Sequence, residues 1–571
     1  MGVYLELFND ETLALKASYR DRERVKAVGD CRWSKEVKRW LFPLSHSVVD
    51  NIQREFGKIA TEPQISTRLK LLDSFQTKVQ KIKKLKDCNV DESFLKVTLW
   101  PHQRVGVRFC QEFDKCACFD DMGLGKSLIA IAMAVWRKNR GEIKKCIILA
   151  PKSCKESVWG RQIEKFTDEK CLVVNGTLAK RRQLYKRYKR EDILFLIFSY
   201  ETFRVDFPRL KEIGILNSGN DGAGMLILDE VQKVKNPQAQ ISKVVKNVQA
   251  LFALALTGTP VYNKPEDIWG PMNVVSPGLL GSNYRGFIDR YLIKGSYGND
   301  QVTDGYRNLK ELRSKIQSVS IRRMKEQILD LPEKVYEDLF CEMTDPAQKK
   351  AYEEMREQLF TWIENMNGEE IKVNAGQLLT KNIRLSQIAD GFIMGHELGR
   401  PKWFKSSKIA EIDEILEDYA DSGIVIFCRW VPLVQLLFKR YEEKYSAVRL
   451  MGQTKDKDRL KAIDEFQAAK AKVFVLQIQS GSLGIDLSQA KIGIFVDKAF
   501  LSGGILKQAE DRIHRPGQKE ACTMISLITT GTIDERWQLL MEKKLALADK
   551  VVPGTPRLDK EDWLYLTGAS R

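Results

Sequence analysis

Three small groups of residues in this chain have types and spacings that could do chemistry. Leu226, Ile227 and Leu228 run directly into Asp229 and Glu230. Carboxylates at the end of an apolar run can hold a metal ion and activate water. Asp229 suits Mg2+, often through water, and Glu230 suits orienting and deprotonating an attacking water. About a hundred residues earlier, Met122, Gly123, Leu124, Gly125, Lys126 and Ser127 form a Gly-rich turn into a helix starting near Lys126. Backbone N–H groups and the helix N-terminus make such a turn an anion site for phosphates. Lys126 can reach β- and γ-phosphates, and Ser127 can ligate Mg2+. The full phosphate-loop pattern has glycine six residues before Lys126, where Asp120 stands. Alone, the segment also reads as a glycine turn capping an ordinary helix. The third group is Arg512 and Arg515, which share one face if helical. Such arginines can neutralise charge developing on a γ-phosphate, worth about 10³–10⁵ in rate in other nucleotide hydrolases, or form a solvated helix face. Together the groups point to hydrolysis of a nucleotide at its γ-phosphate with Mg2+.

These residues need a scaffold that brings strand ends together. Short apolar runs recur at 144–151, 193–200, 224–230 and 251–260, and again at 423–430, 471–480 and 492–498. Runs rich in Ile, Val, Leu and Phe without alternation suggest strands buried on both faces, as in parallel α/β sheets. Two series predict an α/β fold of two parallel-sheet lobes, at 95–275 and 406–550. Between them, 276–405 turns charged and predicts helical protrusions with the interlobe link. A small α+β module is expected at 1–60, a polar, Lys-rich connector at 61–94 and a tail at 551–571. At 571 residues the chain exceeds one hydrophobic core. Its net charge of +17 favours a polyanionic partner such as nucleic acid. The eleven cysteines are scattered, without CxxC pairs or a histidine cluster, which argues against a zinc site or disulfide framework and fits a reducing, intracellular setting. No apolar run reaches the ~18 residues of a membrane span, and the N-terminus lacks the pattern of a signal peptide.

The order of motifs along 95–550 resembles the Swi/Snf-type ATPases of helicase superfamily 2. LWPHQRVGVRF (99–109) places Gln103 where that family reads adenine. DMGLGKS is similar to motif I, LAPKSCKESVW with Lys152 to motif Ia, and FSYETFR with Ser199 to motif Ib. DEVQ (229–232) resembles motif II, and LTGTPVYN with Thr257 and Gly258 resembles motif III. VIFCRW with Arg429 looks like motif IV, QSGSLGIDLSQA with Gly484 and Asp486 like motif V, and QAEDRIHRPGQ like motif VI. IRRMKEQILDLPEK (321–334) matches the family's RRxK…LPxK signature. The resemblance implies two RecA-like lobes that close on ATP and movement along double-stranded DNA without strand separation. It also implies nucleotide contacts for Gly484 and Asp486, and DNA contact or coupling for Lys152, Ser199, Thr257, Gly258 and Arg429. Two departures stand out. Gln232 occupies the usual His position of motif II, and Asp486 stands where Asn or Thr is commoner.

GDCRW…KRWLFPL, with Trp33, Trp40, Phe42 and Pro43, resembles the small HARP module of annealing helicases, which rewind or regress DNA at forks and junctions. Trp33 and Trp40 could stack on exposed bases or form the module's core. KRRQLYKRYKR (180–190) holds seven basic residues in eleven and reads as a phosphate-binding helix, a solvated helix or an import signal. The sequence thus leads to an expected ATP-dependent translocase on double-stranded or forked DNA, remodelling or annealing junctions. The rivals are a strand-separating DNA or RNA helicase and an ATP-switched clamp. No protein partner is legible.

Overall fold

The computed structural model describes residues 3–548, apart from 10–11, 29–30, 58, 218–222, 259–264, 282, 298–299, 365–374, 395–399, 420, 482–484, 502 and 519. The expected tail at 551–571 therefore lies outside the described residues. The chain divides into two units. The first comprises Met1–Ala150, Gln162–Val261 and Glu266–Met324; the second comprises Pro151–Arg161, Tyr262–Pro265 and Lys325–Arg571.

The first unit begins with a five-stranded sheet of order β3-β4-β2-β1-β5, from β1 (Tyr4–Asn9), β2 (Thr12–Lys16), β3 (Arg32–Ser34), β4 (Arg39–Pro43) and β5 (Ala60–Thr61). Helices α1 (Arg22–Val28) and α2 (His46–Phe56) help build its core with Leu5, Leu13, Leu15 and Phe42. The stretch expected as a polar connector is largely a helix, α3 (Pro63–Lys83). Ile65 and Leu69 at its start enter the module core. Near its end, Lys83 lies over the Phe109 ring at 5.2 Å, and burial lowers its pKa to about 8. Ile65, Leu69, Val79 and Ile82 are its buried residues, so a polar composition hides a packed helix.

The main sheet of this unit has the order β14-β6-β11-β10-β7-β9-β8. Its strands are β6 (Lys115–Cys118), β7 (Cys146–Ala150), β8 (Cys171–Val173), β9 (Phe195–Ser199), β10 (Met225–Asp229), β11 (Phe252–Leu256) and β14 (Ser320–Ile321). Every pairing is parallel. β7 and β9 are buried along their whole length, as helices on both faces require. All carboxyl ends therefore emerge at one edge, where open α/β sheets bind ligands. A hairpin of β12 (Leu292–Tyr297) and β13 (Asp300–Tyr306) lies between β11 and β14.

The second unit has a six-stranded parallel sheet of order β15-β22-β21-β18-β20-β19. It uses β15 (Lys334–Cys341), β18 (Gly423–Cys428), β19 (Val448–Leu450), β20 (Val473–Gln477), β21 (Ala490–Phe495) and β22 (Cys522–Thr529). The helices Pro346–Glu364 and Ala375–Ala389 contribute Tyr352, Leu385 and Ile388 to a separate apolar cluster with Trp537. The region 276–405 is thus less helical than its composition predicts: β14 and β15 each complete a lobe sheet. Among the described residues, no helix is long and apolar enough to cross a membrane.

Candidate active site

The carboxyl ends of β6, β10 and β11 bring the first unit's predicted residues together. β6 leads into the phosphate loop, whose Gly123 and Gly125 have φ of 84° and 76°. Both angles lie in the left-handed region that glycine tolerates at little cost. Gly125 starts helix α5 (Lys126–Asn139), with its carbonyl accepting from Leu128 and Ile129 N–H at 3.0 and 3.2 Å. Lys126 Nζ donates to the carbonyls of Asp120 and Asp121 at 2.8 and 3.0 Å.

Helix α4 (Pro101–Gln111) holds this loop from behind. Its Pro101 occupies the first helical position, and Gln103 Oε1 accepts from Trp100 N–H at 3.0 Å, half of a capping box. His102 Nε2 lies 3.0 Å from the Leu124 carbonyl, which also accepts from Gln103 Nε2 at 3.4 Å. Burial lowers the His102 pKa. A Cβ on Gly125 would stand 2.1 Å from Gln103 Nε2. Gly125→Ala therefore meets a steric clash in a backbone conformation worth about 1–2 kcal/mol against L residues. It is expected to raise the ATP Kd at least tenfold, checked by titration with a fluorescent nucleotide.

Asp120, which departs from the phosphate-loop pattern, is buried and has a specific partner. Its Oδ1 accepts from Arg323 N and Nε, both at 3.0 Å, and the Arg323 guanidinium also reaches Asp120 Oδ2 and the His102 carbonyl. The second arginine of the RRMK segment thus braces the phosphate loop and α4 at once. Sequence reasoning kept RRMK only as a signature and missed this pair. No local pattern at either residue signals the pair, whose members lie 203 residues apart in the chain.

At the end of β10, the Asp229 carbonyl accepts from Tyr200 Oη at 2.8 Å. Burial, with the nearby Asp229 and Glu230, raises the Tyr200 pKa. Glu230 has φ 51° and ψ 56°, a left-handed conformation uncommon outside glycine. Gln232 Nε2 donates to Glu230 Oε2 at 2.6 Å, and Thr257 Oγ1 lies 3.5 Å from the same oxygen. A Cβ on Gly258 would lie 2.9 Å from Met122 Cγ, so the backbone after β11 packs against the phosphate loop.

The second unit assembles its own residues. Arg512 is buried in the helix Gly503–Ile513, and its carbonyl accepts from Leu487 N–H at 2.9 Å. Arg515 Nε donates to the Asp511 carbonyl at 2.7 Å. Burial lowers the Arg515 pKa, with Asp486 and Asp511 opposing it. Lys325, from the RRMK segment, reaches Asp511 Oδ1 at 3.1 Å and the His514 carbonyl. Gly484 lies outside the described residues.

With that geometry in place, comparison with known proteins is decisive. A family model described as the SNF2-related domain matches residues 102–391, and the helicase conserved C-terminal domain matches 407–517. The chain belongs to the SNF2-related family. It is 26% identical to YwqA of Bacillus subtilis over 87% of this chain and 52% of that protein. It is also 26% identical to the human DNA repair and recombination protein RAD54-like, over 81% of this chain and 67% of that protein. The Sulfolobus solfataricus SWI2/SNF2 ATPase core in complex with dsDNA aligns at 27% identity over 84% of this chain and 97% of its own, with a TM-score of 0.39. The chain spans about half the length of YwqA.

The structure also places the remaining predicted residues of this SNF2 chain. Ser199 caps the helix Tyr200–Glu212, its Oγ accepting from Thr202 N–H at 3.2 Å. Arg429 donates to the Ala499 carbonyl at 2.8 Å, lies 3.6 Å from Asp497 and covers the Trp430 ring, so it acts as an internal brace. Lys152 is exposed. In the helix Leu178–Arg190, Tyr185 and Tyr188 are buried anchors. Arg181 pairs with Asp206 at 2.6 Å and Arg187 with Glu191 at 2.9 Å, while Lys180, Arg182, Lys186 and Arg190 are exposed.

The two N-terminal tryptophans differ in exposure. Trp33 and Trp40 face each other across β3 and β4, ring centroids 5.3 Å apart and edge-on. Trp40 packs against the module core, whereas Trp33 is 46% exposed. Lys35 and Lys38 in the intervening turn are exposed beside it.

Proposed function

We propose that this chain is an ATP-dependent double-stranded DNA translocase that remodels or anneals forks and junctions. The observation that carries the reading is the convergence of Lys126, Asp229, Glu230 and Thr257 at one edge of a parallel sheet. Lys126 and the N–H groups at the start of α5 hold the β- and γ-phosphates. Glu230 takes a proton from water as its oxygen bonds to the γ-phosphorus and the bond to the β–γ bridging oxygen breaks, leaving ADP and phosphate. Ser127 and Asp229 offer oxygen donors of the kind Mg2+ prefers, and the ion, when bound, neutralises phosphate charge. Gln103 is assigned to the adenine, and Arg512 and Arg515 to charge neutralisation at the γ-phosphate. Asp486 is assigned to a further nucleotide contact. Lys152, the exposed cations of Leu178–Arg190, Thr257 and Gly258 are assigned to DNA contact or coupling.

Fork preference is assigned to the N-terminal module, where an exposed Trp33 beside lysines offers a stacking platform. The test combines ATPase stimulation by duplex, single-stranded, forked and RNA substrates with triplex and strand displacement. Duplex-stimulated hydrolysis with triplex displacement is expected. Strand displacement without triplex displacement would replace the reading with a helicase, and stimulation without either would replace it with a clamp. Trp33→Ala is expected to weaken forked-DNA binding about fivefold, close to one stacking contact, with duplex-stimulated ATPase unchanged.

A further inference from the structure

We propose that Gln232 is a positioning residue for the catalytic base: it fixes one oxygen of Glu230 and leaves the other to the attacking water. The inference rests on the ATPase reading above and concerns a residue that departs from the family's usual histidine.

Three observations carry it. Gln232 Nε2 donates to Glu230 Oε2 at 2.6 Å, a direct side-chain contact. A carboxylate is acceptor-only, so the amide nitrogen must face it; the flipped amide would set oxygen against oxygen. The second observation is the backbone. Glu230 adopts the left-handed conformation and opens a short helical turn, Val231–Val234, whose Val231 and Val234 are buried. That turn folds Gln232 back toward Glu230 instead of letting it point along the strand. Backbone conformations of this kind persist where surrounding structure holds them and cluster at functional sites.

The third observation is how the two oxygens differ. β10 and β11 run in register with Asp229 opposite Leu256, so Thr257 emerges beside Glu230. Thr257 Oγ1 approaches the oxygen that Gln232 already bonds, at 3.5 Å. Among the described residues, none makes a hydrogen bond to Glu230 Oε1. Gln232 Oε1 is itself buried without a hydrogen-bond partner. The donation to Glu230 is therefore the hydrogen bond that orients this amide. Motifs II and III thus meet at one carboxylate oxygen.

The experiment measures ATP kcat, ATP KM and melting temperature for Gln232→Leu, Gln232→His and Gln232→Glu at saturating duplex DNA. Leucine keeps the size and removes the donor. Histidine restores a ring N–H, and glutamate turns a carboxylate toward Glu230. Gln232→Leu is expected to lower kcat about tenfold, with KM within about twofold and melting temperature unchanged, because a misaimed base costs the transition state and not ground-state binding. Gln232→His should recover most of the loss, and Gln232→Glu should fall at least as far as leucine. A Gln232→Leu enzyme with wild-type kcat, a loss that histidine fails to recover, or a loss that follows a lowered melting temperature would each overturn the proposal. Lys126→Ala separates this from the underlying reading: if that variant still hydrolyses ATP, the assigned nucleotide site is wrong whatever Gln232 does.

Discussion

Glu230→Gln is expected to leave nucleotide binding intact and to lower kcat by about 10²–10⁴, the range for losing a general base. The substitution preserves volume, and the new amide oxygen can still accept from Gln232 Nε2, now 2.6 Å from Oε2. What disappears is a group able to take a proton from water. In free-energy terms the loss is about 2.7–5.4 kcal/mol of transition-state stabilisation. Single-turnover hydrolysis, measured beside equilibrium binding of a fluorescent ATP analogue, separates the two effects. A Glu230→Gln enzyme that hydrolyses within a few-fold of wild type would move the base to another residue. Gly125→Ala should show the opposite profile, because it disturbs the loop that Gln103 and His102 hold and leaves Glu230 in place.

The contrast between these variants follows what could be read from the sequence. Lys126 was legible from the Gly-rich turn before it, and Asp229 and Thr257 because each sits at the end of an apolar strand. Parallel strands place their carboxyl ends at one edge, so local patterns sufficed to assemble the site. Pairings between distant segments were not legible in the same way. Arg323 lies 203 residues from the Asp120 it holds, and nothing local to either residue names the other. Composition misled in two places. The Lys-rich stretch before residue 84 folds as α3, since Ile65, Leu69, Val79 and Ile82 set a buried apolar stripe among its lysines. The charged region 276–405 hides β14 and β15, which are edge strands and need less apolar sequence than central ones. Ser199 and Arg429 sit at motif positions, and the partners seen there, the Thr202 N–H and the Ala499 carbonyl, are not written in the motifs. A motif fixes where a residue lies in the fold more firmly than what its side chain touches.

Lys408→Met is expected to destabilise the second unit by about 3–5 kcal/mol, the usual result of stripping one partner from a buried ion pair. Lys408 is fully buried, with Nζ 2.8 Å from Asp390 Oδ1, 2.5 Å from Asp534 Oδ2 and 2.8 Å from the Val496 carbonyl. Trp430 Nε1 donates to the other Asp390 oxygen at 2.8 Å, and nearby Asp497 accepts from Ser386 Oγ at 3.1 Å. The network joins Ala375–Ala389, Ser407–Asp418, Ile533–Ala548 and the segments just after β18 and β21, residues no sequence window contains together. Burial pushes the Asp390 carboxyl well up and raises that of Asp534, while Lys408 opposes both shifts. Removing the ammonium takes away that opposition, so both folded-state pKa values rise further above the unfolded value of about 3.9. A carboxyl with a raised folded pKa binds more protons folded than unfolded across that interval, so stability falls as pH rises through it. The Lys408→Met deficit should therefore be smallest near the unfolded pKa and grow toward neutral pH. Urea unfolding of the variant across that pH range measures it. Adding Asp390→Asn and Asp534→Asn should recover part of the loss at neutral pH, because the cost lies in unpaired buried charge more than in lost packing. If Lys408→Met is equally destabilised at all pH values and the added asparagines recover nothing, packing of the lysine stem carries the stability instead.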